Sequence, residues 1–295
     1  MSKYEKKDRR DRADRIFVQN QDSMHILMPY LFPKRTDNEA VLGQIIDITA
    51  VEEFVAKKNA ENPSFKYTFF HVIAAALAKV IILRPKMNYF YSGYRLYERR
   101  DIELSFVVKR ALDEKSEEAL AKIQIDRGGA SPLEQVHSAV EKFVTMVRKD
   151  KQLEGTAVKM NFLGKLPRFL LKFVFFVLRR LEYHGIYPEV LKNDDPSYAS
   201  VFITNLGSIG MHADYHHLYE YGTTSFFVII DKKQPRPFYK EDGTFEIKNS
   251  IKLGMTIDER IADGMYFANS LKLLNHLLQH PELLDLDASA PITVE

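Results

Sequence analysis

The sequence contains no cysteine. Disulfides, thiolate metal sites and a cysteine nucleophile are thereby excluded, and the composition suits a reducing, cytoplasmic setting. There is almost no excess charge of either sign: 42 Lys and Arg stand against 40 Asp and Glu. The resulting net charge of +2 gives no general electrostatic drive toward nucleic acid. The first twenty residues hold neither an apolar core nor a small-residue cleavage site, which speaks against a secretory leader. In the most apolar helix candidate the longest unbroken run, Phe173–Leu178, is too short to cross a bilayer. No phosphate-loop, dinucleotide, HExxH or GxSxG pattern occurs.

What is present suits one globular unit. The chain has 295 residues, 45% of them hydrophobic, and no Gly/Ser/Pro-rich linker divides it. Lys3–Arg15 is nearly all charge with both signs interspersed, so residues 1–20 are expected as a solvated tail and 21–295 as a single domain. Ala40–Thr49 reads as a strand, and Thr49 with Glu52 reads as a capping box for a helix to about Asn59. Tyr67–Leu83 is a buried helix stopped by Pro85. Ile102–Lys109 is a strand. Ser131, Pro132 and Glu134 start a helix expected to reach about Lys151. Leu166–Leu181 reads as a buried or subunit-contact helix. A membrane-surface helix with snorkelling Arg168, Lys172, Arg179 and Arg180 is its second reading. Strands follow at Ala199–Thr204, Ser225–Asp231 and Phe245–Ile257, then a helix from Asp263 to about His280. Strands and helices mix without a regular βαβ period, which implies an α+β fold with a large mixed sheet.

Among nine histidines only His212, His216 and His217 cluster tightly. Their spacing of four and five could hold a metal, but no carboxylate pair or thiol supports one, so packing or surface hydrogen bonding is expected and no metal. His71, on an apolar helix, reads as a core residue before a base. Thr256–Gly264, TIDERIADG, delivers four charges to a strand-to-helix junction, where burial demands pairing. Helix capping by Asp263 and an ion pair to Arg260 satisfy that demand.

Phe202–Gly210, FITNLGSIG, and Ile257–Gly264, IDERIADG, about fifty residues apart, resemble the catalytic core of dihydrolipoyl acyltransferases and chloramphenicol acetyltransferases. Ile46–Thr49, Arg84–Asn88 and Arg100–Ser105 match upstream pieces of the same pattern, and the resemblance covers about 25–285. It implies a two-layer α+β sandwich, a mixed sheet flanked by helices, in a homotrimer or higher multiple with active sites at subunit interfaces. It implies acyl transfer between a CoA thioester and a small-molecule thiol, hydroxyl or amine acceptor. Residue by residue, the oxyanion hydroxyl falls on Thr204, the Asn-Leu-Gly of the cofactor-binding loop on Asn205, Leu206 and Gly207, the structural Asp on Asp263, and the general base on Glu259.

Glu259 is also where the sequence departs from the family, which has His at this place. On ordinary proton affinities a glutamate is the weaker base toward a thiol by roughly 3 kcal/mol. Burial could narrow that gap, and His71 or the His212 cluster could supply a base instead. No lipoyl-bearing or subunit-binding segment precedes the core, and ALDEKSEEALAK replaces an expected G-L-x-V-P-V stretch. The expected function is therefore an acyl-CoA-dependent acyltransferase with an altered motif. The alternative is a silent homologue serving as an oligomeric scaffold.

Overall fold

The computed structural model describes residues 8–109, 118–149, 163–188, 192, 195–212 and 214–294. The main sheet has seven strands, six of them in the order β2 (Glu39–Asp47), β10 (Phe245–Asp258), β8 (Phe226–Ile230), β7 (Val201–Asn205), β5 (Ile102–Lys109) and β6 (Glu118–Ile125). β5, β7 and β8 run parallel, and the other neighbours are antiparallel. β9 (Gln234–Tyr239) pairs only with the first half of the long β10. Its Pro235 and Pro237 cannot donate to a second neighbour, so an edge is the place that tolerates them. A small sheet, β1 (Arg15–Phe17), β4 (Arg95–Arg99) and β3 (Tyr89–Ser92), stands apart.

One face of the main sheet carries the helices α2 (Thr49–Ala60), α3 (Phe69–Leu83), α4 (Pro132–Lys149) and α6 (Gly264–Gln279). Strand parity sorts the two faces. Ile251, Leu253, Met255 and Ile257 of β10 and Val201 and Ile203 of β7 point into the helical core. Phe202 of β7 and Phe227 and Ile229 of β8 point the other way, into a smaller cluster closed by Leu218. α3 is apolar all round because it is central: from His71 to Ile82 every residue is buried. Lys79 survives there by donating to the Asp287 carbonyl at 2.5 Å. α1 (Ser23–Leu31) and α5 (Arg168–Tyr183) lie outside this core. Among the described residues, no helix is long and apolar enough to cross a membrane.

Several local expectations are corrected. Residues 8–17 are not a solvated tail: β1 pairs with β4, and Asp11 and Arg15 are buried. Met1–Lys7 lie outside the described residues. α2 has no Thr49 capping box, because Thr49 bonds Asp47, while Glu52 holds Lys233 and Asn249. The expected end of α4 beyond Lys149 also lies outside the described residues. β9 went unread because its prolines argue against a strand.

Candidate functional site

Thr204 stands near the carboxyl end of β7, half-buried, on the sheet face away from the main helices. It lines a cavity of about 810 Å³. Phe70, Phe106, Val107, Leu120, Phe202 and Phe227 supply apolar walls, and Asn205, Ser208, His71 and His216 are among its polar groups. A volume of this size accommodates a ligand well beyond an acetyl group.

The loop after Thr204 is fixed by its own residues. Asn205 Oδ1 accepts from the Ser208 amide at 3.2 Å, which starts a short 3-10 turn. Gly207 is required by close approach: a Cβ there would sit 2.5 Å from the Asp231 carbonyl oxygen. Leu206 packs beside Phe202 and Leu218. Asn205 and Leu206 thus line the cavity, while Gly207 lets the loop close on the backbone of Asp231.

His71 contributes a donor, not a base. Its Nδ1 accepts the Thr68 amide N–H at 3.0 Å, so in the neutral ring the proton sits on Nε2. Nε2 is buried without a partner. Burial, with His137 alongside, pushes the His71 pKa down to about 4. The ring is therefore neutral at pH 7, and its Nε2–H is available only to donate.

The second motif lies elsewhere. Asp258, fully buried, takes a two-point ion pair from Arg260 at 2.8 and 2.7 Å. Glu259, on the next turn, is exposed, and its carboxylate makes no hydrogen bond or ion pair among the described residues. Asp263 caps α6, its Oδ1 accepting from the Tyr266 amide at 2.9 Å. That bond holds the Asp263 carboxyl below the usual carboxylate range. Capping by Asp263 and ion pairing of Arg260 are as expected from the charges, with Asp258 as the partner. The Glu259 side chain stands in water and not in an apolar pocket.

Thr204 is level with Ile229 of β8, whereas Glu259 follows Asp258, whose amide bonds Ser225. Five residues along the strands and two strands across place their Cα atoms roughly 19 Å apart. Within one chain the two cannot touch the same reacting atom. Among the described residues no group of three or more His, Asp or Glu could hold a metal ion.

Residues 188–286, about a third of the chain, match the family model for the 2-oxoacid dehydrogenases acyltransferase catalytic domain. No curated protein sequence matches the chain. Its fold is similar to that of a probable dihydrolipoamide acetyltransferase from Listeria monocytogenes 4b F2365, at 13% identity and TM-score 0.57, over 87% of this chain and 88% of that one. It is also similar to the Azotobacter vinelandii dihydrolipoamide acetyltransferase, at 17% identity and TM-score 0.56, over 90% and 94%. That structure concerns a serine, a histidine and an asparagine in the catalytic mechanism. A chloramphenicol acetyltransferase aligns at 9% identity and TM-score 0.54, over 90% and 99%. The chain therefore has the fold of the dihydrolipoyl acyltransferase and chloramphenicol acetyltransferase superfamily, and its C-terminal part carries the signature of the 2-oxoacid dehydrogenase acyltransferase catalytic domain.

Proposed function

We propose that this protein transfers an acyl group from a CoA thioester to a small thiol, hydroxyl or amine acceptor. One observation carries the reading: Thr204, the residue on which the resemblance of Thr204–Gly207 puts an oxyanion donor, lines a large, mostly apolar cavity. In the reaction the acceptor attacks the thioester carbonyl, and charge develops on its oxygen. A hydroxyl held in an apolar wall stabilises that charge more than water does, because the surroundings are poorly polarisable and already organised.

Glu259 and Asp263 take the motif's remaining places, at the same four-residue interval as the histidine and asparagine of the A. vinelandii protein. Glu259 could meet a Thr204 site only on another subunit. A cubic core from a pyruvate dehydrogenase complex is among the similar structures and supports the idea of an oligomer. Thiol release from a panel of acyl-CoAs with several acceptors tests the function. Turnover is expected, and Thr204→Val should lower it by about 10²–10³-fold. No thiol release with any donor, or an unaffected Thr204→Val variant, would overturn the reading.

A second reading, docking of α5 on an anionic lipid surface, is favoured by its outer face. Phe169, Phe173 and Phe176 are 75, 62 and 66% exposed, on the side away from inward-facing Leu178. Arg168, Lys172, Arg179 and Arg180 share that exposed side, and no acid appears before Glu182. Two copies of such a face repel, whereas an anionic lipid surface is complementary to it. Phe175 turns toward Tyr221, so Phe176 is the more exposed of the pair.

A further inference from the structure

His212 and Asp231 form a pair that the family motif does not contain. His212 Nδ1 lies 2.7 and 2.9 Å from the two carboxylate oxygens of Asp231. Asp231 is buried, while the His212 side chain is about half exposed. The carboxylate has further support from the Lys232 amide at 2.8 Å and from Arg236 at 3.7 Å. A carboxylate on Nδ1 fixes the tautomer: Nδ1 carries the proton and Nε2 presents its lone pair. This is the opposite orientation to His71. His212 Nε2 makes no hydrogen bond among the described residues.

The pair lies on the Thr204 side of the sheet. Phe227, Ile229 and Asp231 alternate onto the face that carries Phe202 and Thr204. Thr204 is level with Ile229, so Asp231 is two residues further along the neighbouring strand, about 8 Å from Thr204 between Cα atoms. The backbone carbonyl of Asp231 also abuts Gly207 in the loop that Thr204 leads into. His212 is held over this face by the segment that follows it. The Asp214 carbonyl sits directly on Gly254 of β10, and the Asp214 carboxylate is bound by Lys252. His216 then stacks on Phe227, with ring centroids 4.2 Å apart and planes 6° from parallel.

We infer that His212, positioned by Asp231, is the general base for acyl transfer at Thr204, acting within one chain in place of the motif histidine. The inference rests on the acyltransferase reading. His212 Nε2 takes the proton from the acceptor X–H as X bonds to the thioester carbon, and the carbonyl π pair moves to the oxygen held by Thr204. Collapse of that intermediate breaks the C–S bond, and the CoA thiolate leaves with the proton returned by the imidazolium. An imidazole oriented by a buried carboxylate is a suitable base for this step, whereas exposed Glu259 lies roughly 19 Å from Thr204 along the same sheet. Asp231 is a positioning residue, since it acts through the imidazole.

The test is thiol release by the full-length protein with the best acyl-CoA and acceptor found for the wild type. His212→Gln and His212→Gly should lower kcat by about 10²–10⁴-fold, with KM for the acyl-CoA little changed. Added imidazole should restore part of the His212→Gly rate, because the missing ring leaves a half-open space beside Asp231. Asp231→Asn should lower kcat in the same way, and imidazole should not rescue it. A His212→Gln variant that turns over at the wild-type rate, or a His212→Gly variant that is slow but blind to imidazole, would overturn the inference while leaving the acyltransferase reading intact. A wild type that releases no thiol from any donor would overturn both.

Discussion

Arg260 folds back on Asp258 two residues earlier and grips both carboxylate oxygens, in a place where neither side chain is more than 2% exposed. Arg260 also donates to the Phe32 and Pro33 carbonyls, and Arg35, 3.8 Å from the same carboxylate, donates to the Tyr219 and Gly222 carbonyls. One buried carboxylate thus balances two buried guanidiniums that tie three segments together. Asp258→Asn leaves both cations without their counter-charge and should destabilise the fold by about 3–5 kcal/mol. Urea unfolding checks this, and an unchanged midpoint would show that the cluster does not need the charge. The pair of changes Asp258→Leu and Arg260→Met should lose less than Asp258→Asn alone, because only one cation is then stranded.

His71 makes stability depend on pH. Its folded pKa is about 4, against an ordinary imidazole value near 6.5. Between those values the unfolded chain binds the proton and the folded chain does not. Stability is therefore full above about pH 6.5 and is lost as pH falls toward 4, by at most about 3 kcal/mol from this group. Unfolding free energies measured from pH 7.5 down to 4.5 should decline, and His71→Gln should flatten the decline. An equal slope in the variant would assign the acid sensitivity to other groups.

The local geometry of the candidate site could be read from the chain because its signals are local: the turn that Asn205 starts after Thr204 and the capping of α6 by Asp263 each follow from residues three places away. The long elements were equally legible: α3 from its unbroken apolar run and β10 from alternation of Ile251, Leu253, Met255 and Ile257. β1 was hidden because its burial depends on pairing with β4, eighty residues later, which no charge pattern announces. The His212–Asp231 pair was hidden for the same reason, since nineteen positions separate the partners. Parity was the one available hint: Phe227, Ile229 and Asp231 share a face, so a charge ends an apolar stripe there. The orientation of Glu259 depended on where Arg260 went, and Arg260 was drawn inward by Asp258.

Two glycines hold the loops over the Thr204 face by letting backbone approach backbone. A Cβ on Gly254 would lie 2.0 Å from the Asp214 carbonyl oxygen, and one on Gly207 would lie 2.5 Å from that of Asp231. Neither obstacle is a flexible side chain, so the loop must lift. Gly254→Ala and Gly207→Ala should each destabilise by about 1–3 kcal/mol. Gly207→Ala should also slow thiol release, because the loop after Thr204 moves with it. A Gly207→Ala protein with wild-type stability and rate would show that the approach is looser in solution.

The outer face of α5 makes a prediction separate from the chemistry. Phe169, Phe173 and Phe176 fall at helical intervals of four and three, so they form one stripe on the side opposite Leu178. Each phenylalanine moved from water into a lipid interface contributes up to about 1.5–3 kcal/mol, and each nearby cation adds about 1 kcal/mol on an anionic surface. Wild-type protein should therefore co-sediment with vesicles containing phosphatidylserine more strongly than with phosphatidylcholine alone. Binding should weaken as ionic strength rises from about 0.1 to about 1 M, where screening shortens from ~10 to ~3 Å. Replacing all three phenylalanines by serine should reduce binding by about 100-fold or more without lowering the melting temperature, because the stripe contributes little to the core. If the triple variant instead changes the oligomeric mass while vesicle binding was never present, the stripe is a contact between subunits and lipid is not its partner.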